Sequence, residues 1–210
     1  MTTTCPLCIN ASFSFFKNEK HHFYQCKTCK GIFRNPKEYL NKTEETERYK
    51  HHKNSIRDLG YIKFANPIIT AVKNNFKTQH KGLDFGAGHT PVISEILKTD
   101  GFQVEIYDPL FFNNKEVLKN KYHFITSCEV IEHFYNPKKE FQLFFDLLNA
   151  GGKLICMTFI YNPTIDFEKW FYKNDPTHVF IYQKETFKYI QKYFGFSEVV
   201  INNRLITFTK

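Results

Sequence analysis

The chain has 210 residues, a formal net charge of +8 and a hydrophobic fraction of 42%. This length accommodates one full α/β domain with a small appendage, and it excludes two enzyme-sized domains. The sequence shows no leader-like start and no unbroken run of about 18 apolar residues, so we expect a cytoplasmic protein without a membrane span. The first 60 residues hold eleven Lys/Arg against six Asp/Glu. Because dense basic clusters are missing, nucleic acid is a possible partner but not a favoured one.

Two cysteine pairs, Cys5/Cys8 and Cys26/Cys29, lie within the first 36 residues and are separated by seventeen residues. This spacing is typical of a zinc ribbon, in which two tight turns aim four thiolates at one tetrahedral ion. A redox motif needs only one such pair, and disulfides are rare in a reducing cytosol, so both alternatives fit poorly. Four thiolates fill the coordination sphere, which indicates a structural Zn²⁺. We predict a zinc-binding module over residues 1–36, whose folding depends on the metal.

A helical linker or cap is predicted over residues 37–65. The segment is charged and has no glycine before residue 60, which favours a solvated helix. A few large rings are expected to pack it onto the main domain: Tyr49, Tyr61 and Phe64. Pro67 is expected in the first turn of a short amphipathic helix over residues 67–76.

From residue 66 to residue 210, strand and helix patterns alternate, which predicts a doubly wound α/β sheet. GLDF predicts the first strand, and the following helix is expected to be capped by Thr90, opened by Pro91 and ended by Gly101. FQVEIYD and YHFITS predict two more strands, EVIEHF a short helix, and PKKEFQLFFDLLNAGG a longer helix that ends in glycines. GKLICMTFI predicts another strand, residues 184–194 a helix, and GFSEVVIN with RLITFTK a closing strand pair.

The turn after the first strand, in GLDFGAG, indicates a ligand site. Gly86 and Gly88 lack a Cβ, so the backbone can bend sharply close to a ligand. A dinucleotide-binding turn would carry a small residue where this chain has Pro91, and the sequence holds no phosphate-binding G-x-x-x-x-G-K-S/T string. Asp84 suits a ligand with an ammonium group, and Asp108 suits the two hydroxyls of a ribose. Together they describe a nucleoside with an amino-acid tail, which is S-adenosylmethionine.

Residues 60–210 resemble the class I S-adenosylmethionine-dependent methyltransferases. The resemblance rests on five ordered segments: LDFGAG, VEIYDP, FITSCEVIEHFYNP, LLNAGGKLICMT and the final strand pair. The chain departs from the family at Asn149-Ala150, where many members have Lys-Pro or Arg-Pro, in a turn away from the cofactor. The resemblance implies a Rossmann-like doubly wound sheet with an antiparallel last strand. It also implies a cofactor site that comprises Asp84, Gly86, Ala87, Gly88, Asp108, Pro109, Ser127, Cys128 and Glu129.

The ring-rich segment WFYKNDPTHVFIY, after the fifth strand, is expected to form an apolar acceptor pocket. It contains His178 and Asp175, and a second histidine, His133, lies in EVIEHF. These are the candidate catalytic residues, with His178 as the general base; the alternative is that they cap or pack local turns. Methyl transfer is an in-line displacement, which mainly requires alignment and a desolvated site.

A zinc module followed by such a domain is similar to two groups of enzymes. The deoxysugar C-methyltransferases share the four-cysteine site but carry a further C-terminal domain, and certain ribosomal RNA guanine methyltransferases carry Asn-Pro-Pro-Tyr-like strings. EVIEH and DPTHV look instead like the small-molecule branch of the family. We therefore predict O- or C-methylation of a small molecule, as by quinone or sugar methylases. The alternatives are RNA or protein methylation with the basic module as recruiter, and a binding protein without catalysis.

Overall fold

The computed structural model describes residues 2–50 and 58–210. Its first part is an antiparallel sheet of short strands: β1 (Thr2–Thr4), β2 (Ala11–Lys17), β3 (His22–Cys26) and β4 (Ile32–Arg34). The β1–β2 turn and the β3–β4 turn lie at the same end of this sheet, because Ser12 at the start of β2 pairs with Cys26 at the end of β3, and this brings the cysteine pairs together. The four cysteines are buried, and they supply much of the interior of a module that is too small for a large apolar core.

The main sheet has six strands in the order β10-β11-β8-β7-β5-β6. Four of them are parallel: β5 (Lys81–Phe85), β6 (Gln103–Tyr107), β7 (Tyr122–Cys128) and β8 (Leu148–Met157). β11 (Leu205–Thr209) pairs antiparallel with β8, and β10 (Glu198–Asn202) pairs antiparallel with β11. This is the predicted Rossmann-like sheet with antiparallel closing strands, and that prediction is confirmed.

Helices cover both faces of the main sheet. They are α2 (Leu59–Asn75), α3 (Val92–Thr99), α4 (Pro137–Leu147) and α5 (Lys184–Phe194). A further helix, α1 (Lys42–Lys50), contacts the segment that carries Asp175. Successive residues of β8 point to opposite faces, with Leu154 in the core beneath α4 and α5 and Ile155 in the core beneath α2 and α3. Burial on both faces explains why the central strands are almost continuously apolar. Among the described residues, no helix is both long enough and apolar enough to cross a membrane.

Two predicted helix starts are wrong. α2 begins at Leu59, where the carboxylate of Asp58 accepts hydrogen bonds from the next backbone N–H groups, so Pro67 lies inside the helix. The buried apolar face of α2 offsets the cost of an internal proline, which the local pattern alone does not reveal. α3 begins at Val92, and Thr90 does not cap it. Instead the carboxylate of Asp84, at the end of β5, accepts from the backbone N–H of Ser94 at 3.3 Å.

Two further segments differ in extent from the predictions. EVIEHF forms only a short 3-10 turn over Ile131–His133, because Asn136 and Pro137 already begin α4. α4 ends at Leu147 rather than at the glycines, and β8 starts at the next residue. Gly151 has a φ of +73°, so the glycines shape the first part of β8 instead of ending the helix.

A strand that the sequence did not predict extends the N-terminal sheet. β9 (Phe180–Ile181) lies within the ring-rich segment and pairs with β4. The ring of Phe180 fits against the turn before β4 because Gly31 has no side chain: a Cβ there would lie 2.3 Å from that ring. The N-terminal module is therefore built directly onto the segment that carries His178.

Gly31→Ala tests this contact. We expect a loss of about 1–3 kcal/mol in the free energy of unfolding, because the added methyl group must displace the Phe180 ring. Phe180→Leu in the same chain should recover part of that loss, which urea unfolding of both single variants and the double variant measures. Strict additivity of the two single effects would contradict the predicted contact.

Candidate active site

The loop between β5 and α3 has the backbone that the glycine pattern indicates. Gly86 and Gly88 have φ values of +76° and +67°. A Cβ on Gly86 would lie 2.5 Å from the side chain of Val130, so this glycine lets the loop pack against the segment after β7. A Cβ on Gly88 would meet nothing within 4 Å. Gly88 therefore borders open space, where a ligand can approach the backbone.

Asp84 lies at the carboxyl end of β5 and is buried. Its carboxylate accepts from the hydroxyl of Thr126 at 2.9 Å and from the backbone N–H of Ser94 at 3.3 Å. Burial raises the pKa of this carboxyl to about 6, against the lowering effect of those hydrogen bonds. It forms no ion pair with any residue in the described ranges. A small cleft beside it is lined by Tyr61, Asp84, Gly86, Ala87, Val92, Ile93 and Cys128.

Asp108 follows β6 and connects two loops. One carboxylate oxygen accepts from the backbone N–H of Gly88 at 3.0 Å. The other accepts from the N–H groups of Leu110 and Phe111 at 2.8 and 3.0 Å, across a turn that contains exposed Pro109. Asp108 thus fixes the position of the glycine loop, and its oxygens retain lone pairs for a further donor.

The end of β7 supplies only part of the predicted set. Cys128 lines the cleft, and burial raises the pKa of its thiol. The side chain of Ser127 is fully buried on the opposite face of the strand from Cys128, so the structure does not bring its hydroxyl into the cleft. Glu129 has a φ of +52° and forms a 2.6 Å ion pair with Arg204, although the two groups are not aligned as a hydrogen bond. Burial raises the pKa of Glu129 to about 8.

His133 and His178 lie beside each other, with ring centroids 5.0 Å apart. The Nδ1 atom of His133 is 2.9 Å from the carbonyl oxygen of Thr177, and that of His178 is 2.8 Å from the carbonyl oxygen of Tyr172. A carbonyl oxygen only accepts, so both Nδ1 atoms carry a proton and both Nε2 atoms keep a lone pair. Burial lowers the pKa of both rings, that of His178 to about 4. Both imidazoles are therefore neutral at pH 7.

Glu132 is the site residue that the sequence reasoning missed, although it stands in EVIEHF next to His133. It is fully buried, and its two oxygens accept from the hydroxyl of Thr158 at 3.1 Å and that of Tyr172 at 2.6 Å. Burial raises its pKa to about 7. The signal in the sequence was a carboxylate that follows two apolar residues, in a segment that itself follows a buried strand.

Asp175 contacts the linker helix and not the histidine ring nitrogens. Its carboxylate accepts from Arg48 of α1 at 3.0 Å (Nε) and 2.6 Å (Nη2), and also from the backbone N–H and hydroxyl of Thr177. Burial opposes its charge, but these donors outweigh burial and hold the pKa of Asp175 below its usual range. On the same helix, the ring of Tyr49 meets that of His133 edge-on at 5.6 Å. α1 therefore covers the histidine pair.

The four cysteine sulfurs lie within 4.8 Å of one another in the N-terminal sheet. Cys5 and Cys29 are 3.5 Å apart at Sγ, and Cys8 and Cys26 are 3.3 Å apart. Thiolates about 2.3 Å from a tetrahedral Zn²⁺ stand roughly 3.8 Å apart. The cluster therefore fits the size and donor chemistry of a closed zinc site.

The sheet order and the glycine loop at the carboxyl end of β5 define a class I methyltransferase fold. A family model described as a methyltransferase domain matches residues 49–200, and the chain belongs to this family. No curated protein sequence matches it.

Several solved structures share the fold at low sequence identity. An O-methyltransferase family protein from Burkholderia thailandensis is 11% identical with a TM-score of 0.54, over 79% of this chain and 61% of the other. An S-adenosylmethionine-dependent methyltransferase from Archaeoglobus fulgidus is 17% identical with a TM-score of 0.52, over 71% of this chain and 99% of the other. An N-methyltransferase from Haemonchus contortus, in complex with phosphomonomethylethanolamine and S-adenosylhomocysteine, is 16% identical with a TM-score of 0.57, over 81% and 48%. The chain thus spans less than two thirds of the Burkholderia and Haemonchus proteins.

The buried carboxyl of Asp84 gives a pH prediction. Its pKa in the folded protein, about 6, lies above the ordinary value of 3.8, so the folded state holds the proton more tightly than the unfolded state. Stability from this group is complete below pH 4 and is lost as the pH rises through 6. Asp84→Asn should therefore stabilise the ligand-free protein by about 1–3 kcal/mol at pH 8 and by much less at pH 4.5.

Urea unfolding of both proteins at the two pH values measures this difference. Asp146→Asn, an exposed position on α4, is the matched control and should change stability equally at both. The same gain for Asp84→Asn at pH 4.5 and pH 8 would contradict the assignment of a buried charge.

Proposed function

We propose that this protein transfers a methyl group from S-adenosylmethionine to a small-molecule acceptor, at oxygen or at carbon. The observation that carries this proposal is the arrangement at the carboxyl ends of β5 and β6. There the open glycine loop is held by one carboxylate, Asp108, while a second carboxylate, Asp84, is buried without an ion pair among the described residues. A ligand with an ammonium group and a ribose would give each of these two carboxylates a partner.

The residues fit the parts of this cofactor as follows. Asp84 would hold the ammonium group of the methionine end, which supplies the missing positive charge. Gly86, Ala87 and Gly88 would let that end approach the backbone, and Asp108 with Pro109 would hold the ribose. Cys128 and Glu129 would line the site near the sulfonium, with Ser127 contributing its backbone and not its side chain. When bound, the cofactor supplies an electrophilic methyl group.

The acceptor would bind between this cleft and the neutral histidine pair. The Nε2 lone pair of His178 would take the proton of a hydroxyl or an activated carbon, and His133 would be a second candidate for that role. Asp175 would act as a positioning residue, because its carboxylate is occupied by Arg48 and Thr177. The aromatic side chains of residues 159–172 would exclude water from the acceptor.

We further propose that the cysteine cluster binds a structural Zn²⁺ in a module over residues 1–36, with residues 37–65 as a cap and residues 66–210 as the methyltransferase domain. All six cysteines are unpaired in the structure. Free thiols and a thiolate site are compatible with the reducing cytoplasm, where we expect the protein to act. The ion would not take part in methyl transfer, because four thiolates leave no open position.

Thermal unfolding with S-adenosylhomocysteine tests the cofactor assignment. At about a hundred times its dissociation constant, the ligand should add roughly 2.7 kcal/mol of stability and raise the melting temperature. Asp108→Ala should lose that shift, because no carboxylate remains to hold the ribose, whereas the exposed control Asp146→Ala should keep it. NAD should give no shift. Equal shifts in wild type and Asp108→Ala would place the ligand elsewhere.

Metal analysis of Cys26→Ser tests the zinc assignment. The wild type should retain about one zinc per chain after dialysis against a weak chelator, and Cys26→Ser should lose it and unfold the N-terminal sheet. Cys128→Ser, the same change outside the cluster, should retain the zinc. Full zinc content in Cys26→Ser would contradict the assignment of a zinc site to the four cysteines.

A further inference from the structure

A carboxylate and two imidazoles converge beside the proposed cofactor cleft. One ligand atom each from Glu132, His133 and His178 lies within 4.8 Å of the others. The two histidines are half-buried and Glu132 is fully buried. This group follows the ends of β7 and β8, and Val130, two residues before Glu132, packs against Gly86 of the glycine loop. In residues 2–50 and 58–210, it is the one convergence of His with Glu of this kind.

The hydrogen bonds of the histidines leave one nitrogen of each ring available to a cation. Each ring donates its Nδ1 proton to a backbone carbonyl, which leaves the Nε2 lone pair free. This outer contact is the one that metal-binding histidines typically make, because it fixes the tautomer and raises the basicity of the other nitrogen.

A second histidine pair in the same protein shows the opposite arrangement. The rings of His80 and His123 stack with centroids 4.6 Å apart, near the amino ends of the strands. Their Nδ1 atoms accept from the backbone N–H groups of Lys77 and Lys81, at 3.1 Å in each case. The proton of each neutral ring is therefore on Nε2, and neither outward nitrogen can bind a cation. Two histidine rings that lie close together therefore do not automatically leave their outward nitrogens free, as His133 and His178 do.

The carboxylate in the cluster lacks a compensating positive charge in direct contact. Glu132 accepts hydrogen bonds from the hydroxyls of Thr158 and Tyr172, and it forms no ion pair within the described part of the chain. Two neutral donors orient a buried carboxylate but do not neutralise it. They leave lone pairs on both oxygens, so a cation can bind without breaking either contact.

We propose that Glu132, His133 and His178 bind a divalent cation, separate from the four-cysteine site. Two imidazoles and one carboxylate suit a first-row ion such as Mn²⁺, Fe²⁺ or Zn²⁺. Three protein ligands leave coordination positions open, as in catalytic metal sites. Tyr172 and Thr158 are positioning residues, since they contact the carboxylate and not the cation.

The role of the cation rests on the proposed methyl transfer. An acceptor hydroxyl that binds an open position would have its pKa lowered, and its proton would leave to solvent. The oxygen would then attack the methyl carbon: an O–C bond forms, the C–S bond breaks, and its electron pair stays on sulfur. His178 would serve as a ligand in this reaction and not as the base, and the acceptor would be a hydroxyl compound.

Mn²⁺ binding to the zinc-loaded protein tests the site, with the loss of the free-ion paramagnetic resonance signal as readout. Mn²⁺ is a hard ion and does not compete for four thiolates, so the cysteine site stays filled. We expect one Mn²⁺ per wild-type chain, and affinity at least about a hundredfold weaker in His178→Ala and in Glu132→Gln, which retains hydrogen bonding. Tyr172→Phe removes only the hydroxyl that contacts Glu132, and it should weaken the affinity for Mn²⁺ by about 10- to 100-fold. His80→Ala is the matched histidine control and should bind like the wild type.

Melting shifts with S-adenosylhomocysteine, measured on the same proteins, separate this proposal from the preceding one and confirm that each variant is folded. Mn²⁺ binding lost in the cluster variants, with the ligand shift intact, supports the cation site. Failure of the wild type to bind Mn²⁺, or equal binding in all variants, overturns it and leaves methyl transfer standing. Mn²⁺ binding without any ligand shift keeps the cation site and removes the proposed cofactor.

Discussion

The pairing of β4 with β9 is the contact on which the rest of the acceptor side depends. The segment over residues 159–183 is long and mostly irregular, and a loop of that kind does not hold catalytic side chains unless something fixes it. Here the N-terminal sheet supplies the support through two backbone-paired positions, and Gln183 adds a 2.6 Å hydrogen bond to the carbonyl of Lys30. Because the four cysteines lie in that sheet, we expect their cluster to order the segment that carries His178 as well.

Arg34 strengthens the same contact from within. Its guanidinium is almost fully buried and donates to the carbonyl oxygens of Lys173 and Asp175 at 2.7 and 3.1 Å. Its backbone N–H donates to the carbonyl of Val179. A buried guanidinium is costly to desolvate, and its only ion pair among the described residues is a 3.5 Å contact with Glu38. We therefore infer that Arg34 fixes the conformation of the loop over residues 173–179 and adds more to conformational specificity than to stability.

The sequence predicted the main sheet well, because each central strand is a short apolar run bounded by glycine, proline or polar residues. It predicted the glycine loop for the same local reason, since Gly86 and Gly88 stand in a strand-to-helix turn and both have the positive φ that favours glycine. The errors have non-local causes: α2 extends through Pro67 because its apolar face packs on β7 and β8, and Asp84 replaces Thr90 at the start of α3. β9 has only two residues, and its pairing partner lies about 150 residues away in the sequence, so no local pattern could reveal it.

Glu132 shows why the sequence could locate the site without defining its chemistry. EVIEHF drew attention to His133 as a base, but the role of a histidine depends on which ring nitrogen carries the proton, and that depends on a carbonyl 44 residues further along the chain. Burial raises the pKa of Glu132 and also those of Asp84 and Glu129 nearby, so desolvation of these carboxylates opposes their charged forms. Three acids with raised pKa values lie at or just beyond the ends of β5 and β7, and only Glu129 is ion-paired among the described residues. Positively charged ligands would stabilise such an arrangement. The proposed cofactor, with its ammonium group beside Asp84, and the proposed cation beside Glu132 would each supply a positive charge that these carboxylates lack among the described residues.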